Sequence, residues 1–185
     1  MRNHRLISLV LFFVGLSHAW DNGLALLPPM GFANWNGFGC NYTSETFRNQ
    51  ADLMVSLGLR ELGYQIMIIQ ECIATNRSTD GVLIPDKSKF PDGIENLIDY
   101  LHNKSMKVGI YTDVGPLTCA NYQGSYGHEY QDAMTFAEWG IDFIEEDACH
   151  KPAQYTYQEL YQTMHNAIIS TNRSIMFYMC AWGSD

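Results

Sequence analysis

The sequence predicts an α/β fold: a (β/α)8 barrel carried through about five of its βα units. Three observations predict it. Short apolar and β-branched runs alternate with amphipathic helical patterns. The runs begin near residues 30, 64, 107, 141 and 174, about 33 to 43 residues apart, which is the spacing of a parallel sheet with helical crossovers. Polar residues collect at the C-terminal ends of the runs, the reactive face of such a barrel. A doubly wound sheet would also place its ligand there, but no G-x-G-x-x-G follows the first run and no P-loop occurs. A full barrel takes about 250 residues. With 185 residues the chain stops just after the fifth run, so the expected organisation is a leader followed by an incomplete barrel over residues 20–185, with the first and fifth strands as open edges.

The elements follow in order. Arg2 and Arg5 precede an apolar run from Leu6 to Leu16, too short to span a bilayer, and Ser17-His18-Ala19 offers small residues for cleavage, so residues 1–19 are expected to be a signal peptide. Met30 to Asn34 is a short first strand, and Glu45 to Leu57 a helix. Tyr64 to Ile69 is the second strand, ending in Gln70-Glu71; Cys72 to Phe90 reads as an irregular surface insert. Ile94, Leu97, Ile98 and Leu101 repeat at helical spacing, with Asp92 as the expected cap after Pro91. Lys107 to Tyr111 is the third strand, ending in Thr112-Asp113, and Glu129 to Trp139 a helix. Ile141 to Ile144 leads into Glu145-Glu146-Asp147. Thr156 and Glu159 make a capping box before Leu160, Tyr161, Met164 and Ile168. Ser174 to Met179 closes the set, ending in Cys180 and Trp182.

Composition bounds the function. The chain is 46% apolar, 17% charged and 13% aromatic, which is globular. A net charge of −9 leaves too few cations for a nucleic-acid surface. No segment after the leader is long and apolar enough for a membrane span, so neither nucleic acid nor membrane is an expected partner. None of Cys40, Cys72, Cys119, Cys149 and Cys180 stands at a C-x-x-C spacing, so disulfides with one cysteine left over suit an oxidising compartment. Asn41, Asn76, Asn103 and Asn172 head N-x-[ST] sequons and are candidate glycosylation sites. The expected location is secreted or lysosomal.

Alternation along the fourth strand puts Phe143, Glu145 and Asp147 on one face and Ile144, Glu146 and Ala148 on the other. With Ile144 toward the helices, Glu145 and Asp147 face the barrel axis at its open end. Acids there are solvated, paired with a cation, or used as a nucleophile or base in a sugar or acyl site. Phe32, Trp35, Tyr111 and Trp182 suit stacking on a sugar ring, or ordinary packing. A divalent cation on Glu71, Glu145 and Asp147 is a lesser alternative; no metal or cofactor is expected.

Several motifs, in order and at consistent spacing, resemble glycoside hydrolase family 27, the α-galactosidases and α-N-acetylgalactosaminidases. Trp20-Asp21-Asn22-Gly23-Leu24-Ala25 and Pro28-Pro29-Met30-Gly31 resemble its mature start. Gly31-Phe32-Ala33-Asn34-Trp35-Asn36 stands where the family has G-W-N-S-W-N. Gly109-Ile110-Tyr111-Thr112-Asp113-Val114-Gly115 with Thr118-Cys119 resembles G-I-Y-[SA]-D-[AV]-G…T-C. Gly140 to Cys149 resembles G-V-D-[YL]-[LI]-K-[YF]-D-N-C, and Met179-Cys180-Ala181-Trp182-Gly183 resembles its C-E-W segment. The resemblance implies a TIM barrel and a retaining exo-glycosidase with a carbohydrate substrate. It implies Asp147 as nucleophile, disulfides Cys40–Cys72 and Cys119–Cys149, an unpaired Cys180 lining the sugar pocket with Tyr111 and Trp182, and a homodimer at full length. The family's acid/base Asp follows its sixth strand, so none is assigned here.

The departures lie at the implied sugar contacts. The family's L-D-D-C-W reads Ile69-Gln70-Glu71-Cys72-Ile73, so Gln70 loses a charge and Glu71 gains a methylene. The sugar-packing Trp is Phe32, and the Lys two residues before the nucleophile is Glu145, a like charge beside Asp147. The implied activity is hydrolysis of terminal α-galactosyl groups. The alternatives are a β-L-arabinopyranosidase-like hydrolase and an inactive glycan-binding relative.

Overall fold

The computed structural model describes residues 22–183; the expected leader over residues 1–19 lies outside them. Five parallel strands form the main sheet: β1 (Met30–Ala33), β2 (Tyr64–Ile69), β5 (Lys107–Asp113), β6 (Phe143–Asp147) and β7 (Met176–Met179), in the order β1-β2-β5-β6-β7. Between them run α1 (Trp35–Phe38), α2 (Ser44–Ser56), the hairpin β3 (Ala74–Arg77) and β4 (Leu83–Pro85), α3 (Ile94–Asn103), α4 (Glu129–Trp139) and α5 (Tyr157–Ser170). The strand order never reverses. Successive right-handed crossovers stepping one way across a sheet place their helices on one face.

That face holds the core. Met67, Ile69, Val108, Ile110, Ile144 and Ile175 lie on it fully buried, against Phe47, Ile94, Leu97, Leu101, Phe136 and Met164 from the helices. Each such side chain contributes roughly 1.5–3 kcal/mol of burial. Gly31 lets β1 approach β2: a Cβ there would stand 1.9 Å from the Ile66 carbonyl oxygen.

The structure moves several expected boundaries. β6 starts two residues later than expected and runs into the acids, because Tyr111, Thr112 and Asp113 of β5 pair with Glu145, Glu146 and Asp147. The α3 cap is Gly93 at φ 88°, not Asp92, and no side chain caps it. The insert expected to be irregular contains the antiparallel β3–β4 hairpin. Arg77 pins it, forking onto Asp132 of α4 at 2.6 and 2.7 Å and donating to the carbonyls of Gly81 and Gly124. The Thr156–Glu159 capping box is present, with Glu159 N–H donating to Thr156 Oγ1 at 3.2 Å.

Candidate active site

Asp147 ends β6 with one-tenth or less of its surface exposed, and three donors reach it. Its Oδ1 accepts Ala148 N–H at 2.8 Å and Trp182 Nε1–H at 2.7 Å; its Oδ2 accepts the Tyr111 hydroxyl at 2.7 Å. Burial, and then that hydrogen bond, push the Tyr111 phenol upward, so its proton stays on oxygen and is donated. Cys119 Sγ lies 3.2 Å from Oδ2, but it belongs to a disulfide, carries no proton, and is a contact rather than a donor.

The loops around Asp147 are tied from below by Asp113. Its Oδ1 accepts Gly115 N–H at 2.7 Å and its Oδ2 accepts Cys149 N–H at 2.8 Å. Burial raises the Asp113 carboxyl, and these backbone donors oppose the rise. Gly115 allows the loops to touch: a Cβ would meet the His150 carbonyl oxygen at 2.2 Å. The Cys119–Cys149 disulfide closes the same two loops, and Cys40–Cys72 joins those after β1 and β2.

Glu145 lies on the Asp147 face, half-buried, and its Oε2 accepts Gln70 Nε2–H at 2.7 Å. Burial raises Glu145, with Asp147 and Glu71 adding and the Gln70 bond opposing. Gln70 is itself held by Asn34, which is fully buried: Gln70 N–H donates to Asn34 Oδ1 at 2.7 Å and Asn34 Nδ2–H to the Gln70 carbonyl at 3.0 Å. Cys180 is the free thiol, raised by burial and by Asp147.

Two of the expected sugar contacts are engaged elsewhere. Glu71, at φ 59°, is buried and its oxygens accept Thr118 Oγ1–H at 2.6 Å and Ala120 N–H at 3.0 Å. The Phe32 ring packs edge-on against Phe38 and Phe47, the latter in the helical layer. The structure thus brings Asp147, Glu145, Gln70, Tyr111, Cys180 and Trp182 to one strand-end region. Asn34 and Asp113 complete its scaffold; the sequence does not mark them as site residues, because each joins a local backbone partner (Gly39, Gly115) to one 36 residues away (Gln70, Cys149). Glu71, Glu145 and Asp147 each bond a different protein donor. A grouping of Asp113, Cys119, Asp147 and Cys149 has metal-like proximity, but both sulfurs are spent in the disulfide. A hollow of about 450 Å³ between α5 and β7, lined by His165, Ile168 and Phe177 among others, is separate from Asp147. Asn41, Asn76, Asn103 and Asn172 are all exposed.

Comparison with known proteins agrees with this geometry. A family model described as alpha galactosidase A matches residues 27–185. An α-galactosidase from Coffea arabica is 46% identical over 166 residues, covering 89% of this chain and 44% of that protein. A probable α-galactosidase from Dictyostelium discoideum is 43% identical over 166 residues, covering 90% and 43%. The crystal structure of α-galactosidase I from Mortierella vinacea superimposes with a TM-score of 0.86 at 39% identity, over 90% of this chain and 43% of that one. The chain therefore spans less than half the length of these relatives. A parallel α/β sheet, an oriented carboxylate at its C-terminal edge and a family match over most of the sequence lead to one conclusion: this chain belongs to the α-galactosidase family of glycoside hydrolases, family 27.

Proposed function

We propose that residues 20–185 form the nucleophile-bearing part of a (β/α)8 barrel that hydrolyses terminal α-galactosyl groups with retention of configuration. The observation that carries this reading is the triple hydrogen bonding of Asp147 by Ala148, Trp182 and Tyr111 at the C-terminal end of a parallel strand. Three donors fix the plane of the carboxylate and the direction of its oxygens. In the first step the Asp147 carboxylate attacks the anomeric carbon while the bond to the leaving oxygen breaks, through an oxocarbenium-like transition state. A second carboxyl about 5–5.5 Å away protonates that oxygen, then deprotonates the water that releases the sugar. No residue is assigned to that second role. Gln70 and Glu145, joined side chain to side chain, offer polar contacts to the sugar hydroxyls, and the exposed faces of Trp35 and Trp182 offer stacking surfaces.

One observation favours a second reading, a glycan-binding protein without turnover. Glu145 places a like charge on the Asp147 face, and no Lys or Arg bonds either acid among the described residues. A difluorinated α-galactosyl fluoride separates the two, because fluoride leaves without a proton donor. The expected result with the intact protein is a covalent sugar on the peptide containing Asp147, absent in Asp147→Asn. Saturable galactose binding with no label would instead establish the binding protein, and no binding at all would remove both.

The two disulfides and the exposure of all four sequon asparagines support passage through the secretory route. Loss of mobility-shifting glycans on Asn→Gln replacement at these positions checks it.

A further inference from the structure

Glu146 is not used by the chemistry above, and its surroundings are unusual. It lies on the helix-covered face of β6, in register with Thr112 of β5 and Met179 of β7, and is about 1% exposed. Neither carboxyl oxygen meets solvent or a hydrogen-bond partner among the described residues, and the buried Tyr161 hydroxyl of α5 is also without one. The other donors close by in the layer are already committed. Thr112 Oγ1 and Ser125 Oγ share a hydrogen bond at 2.6 Å, and Ser125 Oγ–H donates to Asp132 Oδ2 at 2.8 Å. Arg77, the cation of this layer, spends its guanidinium on both Asp132 oxygens and on two backbone carbonyls.

The charges that face Glu146 from the packed elements are acidic. They are Asp113 from β5 and Glu129 and Asp132 from α4, with the uncharged Tyr161 phenol from α5. Burial, and then these three acids, push the Glu146 carboxyl well above the usual carboxylate range. A buried carboxylate with neither cation nor donor costs several kcal/mol, and a neutral carboxylic acid costs much less. The same residue ties the strand end together through its main chain: its carbonyl accepts Cys180 N–H at 2.9 Å, and Asp147 follows it directly.

We propose that Glu146 is an acid-dependent latch: as the neutral acid it lets α4 and α5 close over β6, and its ionisation loosens that layer and the seat of Asp147. The linkage has a definite sign. In the unfolded chain Glu146 loses its proton near the ordinary value of about 4.3, whereas the folded chain keeps it. Between that value and the raised folded one the native state holds one proton more, so stability falls as pH rises. Below the window both states are protonated and the effect is absent.

The test is equilibrium unfolding of the intact protein in urea from pH 4.5 to 8, for the wild type, Glu146→Gln and Glu146→Met. Gln keeps the shape and polarity and cannot ionise; Met fills the layer with an apolar chain of similar length and serves equally if the Gln variant fails to fold. Within the window the unfolding constant of the wild type is expected to rise, relative to either variant, by about tenfold per pH unit. Hydrogen exchange gives the local readout: protection of the Cys180 and Ala148 amides, beyond intrinsic chemistry, falls with pH in the wild type and not in the variants. Parallel pH slopes in wild type and a folded variant overturn the latch. So does wild-type amide protection that is constant across the range.

Discussion

Asp147 and Glu146 are neighbours on β6, and the two faces of the sheet treat them in opposite ways. Both are nearly out of reach of solvent, at 9% and 1% exposure. Asp147 receives a backbone amide, an indole and a phenol; Glu146 receives nothing among the described residues. Two acids that are both buried thus meet different surroundings. One is held in a fixed orientation by its donors, and the other is pushed by burial toward its neutral form. The supply of donors, more than depth below the surface, decides what a carboxyl can do.

This contrast can be broken or sharpened by mutation. The largest effect is expected from Asp147→Asn, which keeps the shape and removes the carboxylate proposed as nucleophile: turnover of an aryl α-galactoside by the intact protein should fall on the order of 10⁴-fold or more. Tyr111→Phe removes one of the three donors. A hydrogen bond to a charged group is worth about 1.5–3 kcal/mol of stability, so the melting temperature should fall by roughly 3–12 °C, and turnover in the same assay should drop as Asp147 loses its alignment. Glu146→Met strikes the donor-less acid and should act in the opposite direction. Removing a buried, unpaired polar group is expected to stabilise the fold at pH 7 by about 1–3 kcal/mol, or roughly 2–12 °C in a melt at this chain length. The smallest effect is expected at Asp52, an exposed acid with partners in plenty: Lys104 at 2.5 Å and the Tyr100 hydroxyl at 2.9 Å. Asp52→Asn should leave the melting midpoint unchanged within error, because solvent already serves that group.

The strands were legible because the more buried stretches of parallel strands are written as apolar runs, as in residues 66–69 and 108–111. The placement of Asp147 opposite Glu146 was legible from period-two alternation alone. The hairpin was not: Ala74–Arg77 is polar and short, and what holds it is an ion pair to Asp132, 55 residues away in sequence. Asn34 was hidden for a similar reason, since its partners are the main chain of Gln70 and Gly39. Alternation placed Glu146 outward correctly, yet whether a donor waits there depends on packing that no local pattern encodes. Phe32 shows the limit of motif transfer, because a ring that is one size smaller than tryptophan settles among Phe38 and Phe47.

The Cys119–Cys149 bridge sits against Asp147 Oδ2, while Cys180 nearby is a free thiol. Handling the purified material thus presents a dilemma. Reductant added to spare Cys180 would unfasten the brace beside Asp147, and omitting it exposes Cys180 to air. A Cys180→Ser variant made in an oxidising host removes the conflict and should store longest without loss of active material.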